Sequence, residues 1–302
     1  MTLLDDHDQV KQEEAANPEL EKRAKRQESW RGFFHAAPAY VYLTFFFTLP
    51  LLIVYVFSFA SRGPTGKPFL EDWNLDSWIK LGDPLVMEIA LRSLWLALLN
   101  TALCLLIGYP FAYWIATRRS ERTRTLLLVA VLIPFWSNFL IRTYAWRMLL
   151  DSDGIITQIG EWSGLWGQLL FTPTAVFLGL LYGYLPFVVL PLYAAIERLD
   201  WTLVEAGRDL YASGSAAFRK ITLPLSKPGI VAGSVLVFIP SLGAYVTPDI
   251  LGGAKTTLLG NYIVTQFTAA RNWPFGSALS GAILIIMLAV TILYFRTDAR
   301  TI

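Results

Sequence analysis

The chain has 302 residues, of which 55% are hydrophobic and only 16% are charged, with a formal net charge of +2. A soluble domain carries roughly 25% charged residues, so this sequence lacks the polar surface that a soluble globule of its size requires. The small net charge and the dispersed basic residues argue against nucleic-acid binding, and the single cysteine, Cys104, argues against a disulfide framework or a Cys/His metal site. The composition predicts a membrane protein that binds no metal and in which Cys104 is a packing residue.

The first 36 residues are dense in charges of both signs and lack the short apolar centre of a cleaved secretion signal. We expect a cytoplasmic tail here, followed by a transmembrane domain over residues 37–296 and a short cytoplasmic end over 297–302. Within the tail, Pro18 to Gln27 places Glu and Lys at neighbouring turns, a pattern typical of a solvated helix.

Six apolar runs follow, each close to the length of about 20 residues that a crossing helix needs. They are Ala37–Ala60, Ile89–Thr117, Leu126–Leu150, Thr174–Ile196, Gly229–Val246 and Ser277–Phe295. The runs are continuous rather than alternating, which disfavours a β-barrel. Several contain proline, which a helix bundle in a membrane tolerates, so the sequence predicts an all-α polytopic protein with six kinked transmembrane helices.

The orientation follows from the basic residues. Lys and Arg concentrate before the first run and in the segments after the second, fourth and sixth runs, which places both termini in the cytoplasm. The segments on the opposite side carry an acidic excess that would attract cations, although outer segments lack the basic bias in any case and composition leaves the two explanations open.

The longest predicted cytoplasmic connection joins the fourth and fifth runs and is strongly charged. Its first part, Trp201 to Leu210, predicts a helix. The predicted small apolar face of this helix consists of Leu203, Ala206, Gly207 and Leu210. Gly214 and Ser215 can end that helix and begin a second one over 216–221, after which we expect prolines at 224 and 228 to end regular structure. Two such helices fit the groove of a partner protein, or lie on the lipid surface.

This connection resembles the EAA loop of permease subunits in bacterial binding-protein-dependent ABC importers, whose pattern is E-A-A, three residues, G, nine residues, I-x-L-P. The residues that carry the resemblance are Glu205, Ala206, Gly207, Ile221, Leu223 and Pro224. Two positions depart from the pattern: Gly207 replaces the second alanine, and Tyr211 occupies the position of the family's glycine. A glycine there allows a turn that tyrosine adopts less readily, and Gly214 can move that turn by three residues.

Four further segments are similar to the permeases of putrescine and spermidine importers. They are Leu132–Trp146, Tyr184–Asp200, Phe238–Lys255 and Asn272–Ala278, and the similarity extends from about Tyr40 to Phe295. Permeases with other substrates, such as those of opine importers, look similar, so another small or amino-acid-like solute stays open.

The resemblance implies a type I importer permease fold in a bacterial inner membrane. It implies as partners, besides lipid, a periplasmic substrate-binding protein, two cytoplasmic ATPases and a second permease that is related but not identical, while pairing with a second copy of this chain stays open. The loop would sit in a cleft of the ATPase and move as a lever. ATP and magnesium would be bound by the ATPase, so this chain would hold no cofactor and would not be an enzyme. The implied ATPase-coupling residues are Glu205, Ala206, Gly207, Asp209, Tyr211, Gly214, Ile221, Leu223 and Pro224.

One short stretch resembles a phosphate-binding loop without matching it. In LGGAKTT, residues 251–257, Ala254 precedes Lys255 where the motif needs glycine, and Asp249 stands at the position of the earlier glycine. The stretch is also predicted to lie outside the cell, where there is no ATP. We therefore expect its glycines to shape a turn rather than to bind nucleotide.

The transport path for a polyamine needs carboxylates and aromatic rings, because ammonium groups bind the faces of such rings. Asp249 is the leading candidate, since it follows the predicted outer end of the fifth run beside Tyr245. The candidates in the third and fourth runs are Trp136, Asn138, Tyr144, Trp146, Tyr182 and Tyr184. Trp and Tyr also gather at membrane interfaces, which is an alternative explanation for each ring.

Arg142 lies within the third run, where a charge must face protein or water. A fixed cation would repel a cationic cargo, so we expect Arg142 to be structural and to pair with a carboxylate such as one of the partner permease. An anionic substrate would instead move Arg142 into the path.

Two other functional classes are weaker. A secondary transporter would show buried ionisable pairs and an inverted repeat, neither of which is evident. An intramembrane enzyme would need converging catalytic groups within the runs, yet both histidines, His7 and His35, precede the first run. We therefore expect no catalytic residue.

Overall fold

A computed structural model describes residues 36–253 and 256–298. The predicted tail helix over Pro18 to Gln27 lies outside the described residues. The chain divides into two compact units, one through Val56 and one from Phe57 onward.

Helix α1 spans Ala36–Phe57 and contains one wide turn. Over Thr44–Thr48 the helix is π-helical, and the amide of Leu49 donates to the carbonyl of Thr44. Pro50 follows directly, and a proline ring clashes with the carbonyl four residues before it, so a local widening of the helix accommodates the ring. The side chains of α1 are mostly apolar, as a helix that crosses a membrane requires.

In the described part of the second unit the regular elements are helices and one β-hairpin. Its elements are β1 (Ala60–Arg62), β2 (Pro68–Trp73), α2 (Asp76–Ile79), α3 (Pro84–Ala116), α4 (Glu121–Trp136), α5 (Phe139–Leu150), α6 (Ile155–Ser163), α7 (Pro173–Glu197), α8 (Trp201–Asp209), α9 (Gly214–Leu225), α10 (Lys227–Leu242), α11 (Leu259–Phe267) and α12 (Trp273–Asp298). Side-chain oxygens of Ser120, Thr172, Asp200 and Ser213 cap α4, α7, α8 and α9. Such caps satisfy amides that a helix start leaves unpaired.

The sequence did not predict the hairpin. β1 pairs with β2 in antiparallel register, with Arg62 opposite Pro68. The turn packs against the segment before α12: the guanidinium of Arg62 donates to the carbonyl of Ala270 over 2.8 Å, and the amide of Trp273 donates to the carbonyl of Gly66. Gly66 has a φ of +81° and no room for a side chain beside Arg271, so glycine is required there.

Four helices are long and apolar enough to cross a membrane: α1, α3, α7 and α12. They correspond to the first, second, fourth and sixth predicted runs. Two bent pairs account for the other two runs, α4 with the segment Phe139–Ser163 at 88°, and α9 with α10 at 63°. The described residues therefore hold four continuous spans, and six when each bent pair is one span.

The third predicted run, Leu126–Leu150, is interrupted and not merely kinked. The chain breaks at Ser137 and Asn138, which are extended, and α5 starts anew with the Asn138 side-chain oxygen accepting from the amide of Leu140. The carbonyl of Pro134 at the end of α4 accepts from the hydroxyl of Ser137 over 2.7 Å. Proline lowers the cost of the break because it disrupts the helix around itself.

The core of the second unit lies where α3, α7 and α10 pack together. A Cβ atom on Gly229 would lie 2.5 Å from the Cβ of Ala195, so the helices approach through a position that only glycine fits. The side-chain amide of Asn100 donates to the hydroxyl of Ser241 over 2.9 Å, which links α3 to α10 in the buried interior. Cys104 is fully buried in the same interior, which confirms that it is a packing residue.

Candidate functional site

The first helix of the predicted coupling loop is α8. The carboxylate of Asp200 accepts from the hydroxyl of Thr202 over 2.7 Å and from its amide over 3.0 Å, and these hydrogen bonds lower the pKa of Asp200. Val204 is buried against the chain. Leu203, Ala206 and Leu210 on the predicted apolar face are exposed, whereas Gly207 on the same face is half-buried.

The turn after α8 lies at Tyr211, and the prediction that Gly214 moves it is wrong. Tyr211 has a φ of +61°, its amide donates to the carbonyl of Arg208, and the amide of Ala212 donates to the carbonyl of Gly207. These two bonds form a Schellman motif, whose left-handed position is normally glycine. Gly214 instead opens α9, so Tyr211 adopts the conformation of the family's glycine despite its side chain.

The second helix of the loop differs from the prediction as well. α9 runs through Pro224 to Leu225, and the bend falls at Ser226, whose hydroxyl contacts that of Tyr109 at 2.8 Å. The prolines at 224 and 228 therefore do not end regular structure: Pro224 lies in the last turn of α9, directly after the π-helical stretch Phe218–Thr222, and Pro228 lies in the first turn of α10.

Gly207 lies against α9. A Cβ atom on Gly207 would lie 2.6 Å from the Cδ1 of Ile221, so its absence lets α8 pack closely on α9. The predicted coupling residues thus share one helix pair. Those with exposed side chains or backbone are Glu205, Ala206, Asp209, Tyr211, Gly214, Leu223 and Pro224.

A cavity of about 370 Å³ opens at the break between α4 and α5. It is lined by Phe135, Ser137, Phe139, Arg142, Gly179, Leu180, Gly183, Tyr184, Phe187 and Thr247. A neighbouring cavity of about 310 Å³ shares Phe139, Tyr184 and Thr247 with the first and adds Tyr245. The broken span, α7 and the segment after α10 therefore all line these two neighbouring cavities.

The structure unites only some of the predicted path residues. Tyr184 and Tyr245 line the cavity of about 310 Å³, where the hydroxyl of Tyr184 donates to the carbonyl of Pro240. Trp146 and Tyr182 pack on each other with ring centroids 5.5 Å apart.

The other candidates have different surroundings. Trp136 and Tyr144 are exposed and line neither cavity, and the side-chain oxygen of Asn138 caps α5. Asp249 does not end the fifth span, because α10 stops at Leu242 and Asp249 is the exposed residue of a separate, otherwise mostly buried π-helical turn, Pro248–Gly252.

Arg142 lies across the break in the third span. Its Nη1 donates to the carbonyl of Pro134 over 2.6 Å, in agreement with the predicted structural role. Its guanidinium carbon also lies 5.2, 5.8 and 5.9 Å from the ring centroids of Phe135, Phe139 and Tyr182. Sequence analysis missed both phenylalanines, although the stretch PFWSNF around the break carries the signal: a proline and a helix cap flanked by aromatic residues.

A cluster of three polar side chains connects α4 to α7 next to the predicted coupling loop. Arg124 Nη1 lies 3.2 Å from Glu197 Oε1, and the hydroxyl of Tyr193 donates to the same oxygen over 2.6 Å. Glu197 ends α7, three residues before the cap of α8. The start of the broken span is therefore tied to the chain that leads into the loop.

The family model for binding-protein-dependent transport system inner membrane components matches residues 108–301, more than half of the chain. The chain belongs to this family. This inner membrane component is also 42% identical over 260 residues to the spermidine/putrescine transport system permease protein PotB of Escherichia coli (strain K12), a match that covers 85% of this chain and 94% of that protein. It is 32% identical to the inner membrane ABC transporter permease protein YdcU of the same organism, covering 72% and 73% of the two chains.

Solved structures confirm the fold. A chain of a bacterial ABC transporter involved in the import of the acidic polysaccharide alginate matches with a TM-score of 0.65 and 18% identity, covering 93% of this chain and 99% of that one. A second structure of an alginate transporter, in complex with a periplasmic protein that binds an alginate pentasaccharide, gives a TM-score of 0.66 at 17% identity. The inner membrane component thus has the importer permease fold that the sequence predicts.

Proposed function

We propose that this inner membrane component forms one half of the channel of an ATP-driven importer that carries a polyamine such as putrescine or spermidine. The observation that carries the proposal is the likeness to spermidine/putrescine permeases, which extends over 85% of the chain. The aromatic walls of the two cavities support it, because ammonium groups bind the faces of aromatic rings.

The proposed assembly contains this chain, a second and related permease, two cytoplasmic ATPases and a periplasmic binding protein. The chain crosses a bacterial inner membrane several times with both termini in the cytoplasm. ATP and magnesium are bound by the ATPases, so this chain performs no hydrolysis. The exposed face of α8 and the neighbouring α9 support an ATPase contact, because two joined helices with exposed leucines form a compact docking element.

The test is ATP-dependent uptake of labelled putrescine and spermidine into vesicles that contain this chain, its ATPase, its second permease and its binding protein. We expect saturable uptake of at least one amine. An assembly that hydrolyses ATP in response to its binding protein but imports neither amine would contradict the polyamine assignment.

A second cargo class is favoured by one observation. The cation of Arg142 faces the cavity, and an opine or amino-acid-like solute carries a carboxylate that a guanidinium binds well. Uptake of such a solute without uptake of either amine would support this alternative.

The coupling role of α8 is tested with Glu205, which is exposed near the middle of the helix. We expect Glu205→Ala to leave the protein inserted in the membrane but to reduce uptake per ATP hydrolysed. The matched control is Glu161→Ala, an exposed glutamate of α6 and not of the predicted coupling loop. Equal coupling ratios for the two variants would remove Glu205 from the docking element.

The proposed contribution of Asp249 to the path is electrostatic, since an exposed carboxylate attracts an approaching cation. We expect Asp249→Asn to slow amine uptake, with a larger loss at low salt, and Asp153→Asn to leave uptake unchanged. Normal uptake kinetics in Asp249→Asn would exclude this carboxylate from the path.

A further inference from the structure

The guanidinium of Arg142 occupies an unusual setting for a charge in a membrane protein. It is partly buried, and among the described residues its only hydrogen-bond acceptor is the carbonyl of Pro134. No carboxylate of the described residues forms an ion pair with it. An unpaired charge within a membrane protein must face water or a protein cavity, and Arg142 lines the cavity at the break between α4 and α5.

Aromatic rings supply the remaining contacts of this cation. The rings of Phe135, Phe139 and Tyr182, here called the aromatic box, have centroids within 5.9 Å of the guanidinium carbon. This is the distance at which ring faces attract cations. The box joins residues from both halves of the broken span and from α7.

Neighbouring rings hold two walls of the box in place. Phe187 packs on Phe135 at right angles, with centroids 5.2 Å apart, and Trp146 packs on Tyr182 at 5.5 Å. Phe135 and Tyr182 therefore each have a ring contact that does not involve Arg142. The side chain of arginine is long enough to swing out on its methylene stem.

We propose that the aromatic box is a cation-binding station on the transport path, that Arg142 occupies it as a tethered stand-in, and that an ammonium group of the cargo takes the place of the guanidinium during transport. The inference rests on the proposed polyamine cargo. A guanidinium that stayed in the box would repel the cationic cargo, whereas one that leaves as the cargo enters does not. The box then holds one cation before and after the exchange. On leaving, the guanidinium gives up its hydrogen bond to the carbonyl of Pro134, which an ammonium group can take over.

The experiment measures equilibrium binding of labelled putrescine to the assembled permease and ATPase complex in lipid nanodiscs, without binding protein. Removal of the competing cation in Arg142→Gln is expected to tighten binding roughly tenfold, because a partly desolvated cation–π contact contributes between about 1 and 2 kcal/mol. Arg142→Lys keeps a tethered cation and is expected to bind more weakly than Arg142→Gln. Arg147→Gln on the same helix is the control, since Arg147 contacts Phe171 outside the box.

A second variant separates competition from a structural role. Phe135→Leu removes a ring face while keeping an apolar side chain. In the Arg142→Gln background it is expected to weaken putrescine binding roughly fivefold, whereas with Arg142 present it weakens the stand-in and the cargo together and changes binding little. If Arg142 were only structural, Phe135→Leu would change putrescine binding by the same factor with Arg142 and with Gln at position 142.

Three results would overturn the inference. They are unchanged or weaker binding in an assembled Arg142→Gln complex, equal effects of Phe135→Leu in both backgrounds, and tighter binding in Arg147→Gln of the same size. Amine uptake by the unaltered complex distinguishes failure of this inference from failure of the proposed function. If it imports neither amine, the cargo assignment fails, whereas import of an amine with any of those three results contradicts only the role of Arg142.

Discussion

Tyr211 has a backbone conformation that a residue with a side chain disfavours. Its backbone is left-handed, where a side chain costs roughly 1–2 kcal/mol, and its ring is 99% exposed. The ring makes no contact within the described chain that offsets this cost. We therefore expect Tyr211→Gly to stabilise the isolated chain by about 1 kcal/mol, measured as thermal unfolding in detergent.

The control for that change is the neighbouring position. Ala212 does not have a positive φ, so Ala212→Gly adds only the greater freedom of the unfolded chain and is expected to destabilise. Equal effects of the two glycine substitutions would mean that Tyr211 is not strained. Sequence analysis identified the departure at this position but placed the turn at Gly214, because propensity favours glycine and the hydrogen bonds that fix the turn cannot be read from the chain.

The helices are where sequence and structure agree best. Four continuous spans were predictable because a run of about 20 apolar residues permits few other structures in a membrane. The break in the third span was not, since Pro134 is compatible with either a kink or an interruption. What decides between them is Asn138, whose side chain caps a new helix within an otherwise apolar run. Aromatic residues around the break converge only after this bend, so the cavity they line could not be derived from spacing.

Helix packing gives a prediction at the same scale. Gly229 lies against Ala195 where α10 meets α7, whereas a Cβ atom on Gly183 would meet open space. Overpacking typically costs 1–3 kcal/mol, so Gly229→Ala is expected to destabilise the chain by about that amount. Gly183→Ala is expected to be neutral or stabilising by up to about 1 kcal/mol, because alanine favours helix. Similar melting temperatures for the two variants would contradict close packing of α7 on α10.

Across the molecule, the polar group of Arg124, Tyr193 and Glu197 connects the broken span to the chain entering α8. We predict that it transmits movement between the two. Arg124→Glu places like charges together and is expected to reduce uptake per ATP hydrolysed roughly fivefold, a change equivalent to about 1 kcal/mol.

Charge exchange provides the control for this connection. The double variant Arg124→Glu with Glu197→Arg restores opposite charges and is expected to recover most of the coupling ratio, which is measured from uptake and phosphate release in the same vesicles. If each single variant matches the unaltered protein, or if the double variant is worse than both, the ion pair does not carry the movement.

The β-hairpin has a consequence for how the protein is made. Arg62 and the carbonyl of Ala270 that it contacts are 208 residues apart in the chain. At a synthesis rate of 5–20 residues per second, roughly ten to forty seconds separate their emergence from the ribosome. During that interval the hairpin turn has no partner, while the spans between are inserted one after another. The hydrogen bond from Arg62 to the carbonyl of Ala270 can therefore form only after synthesis has passed residue 270.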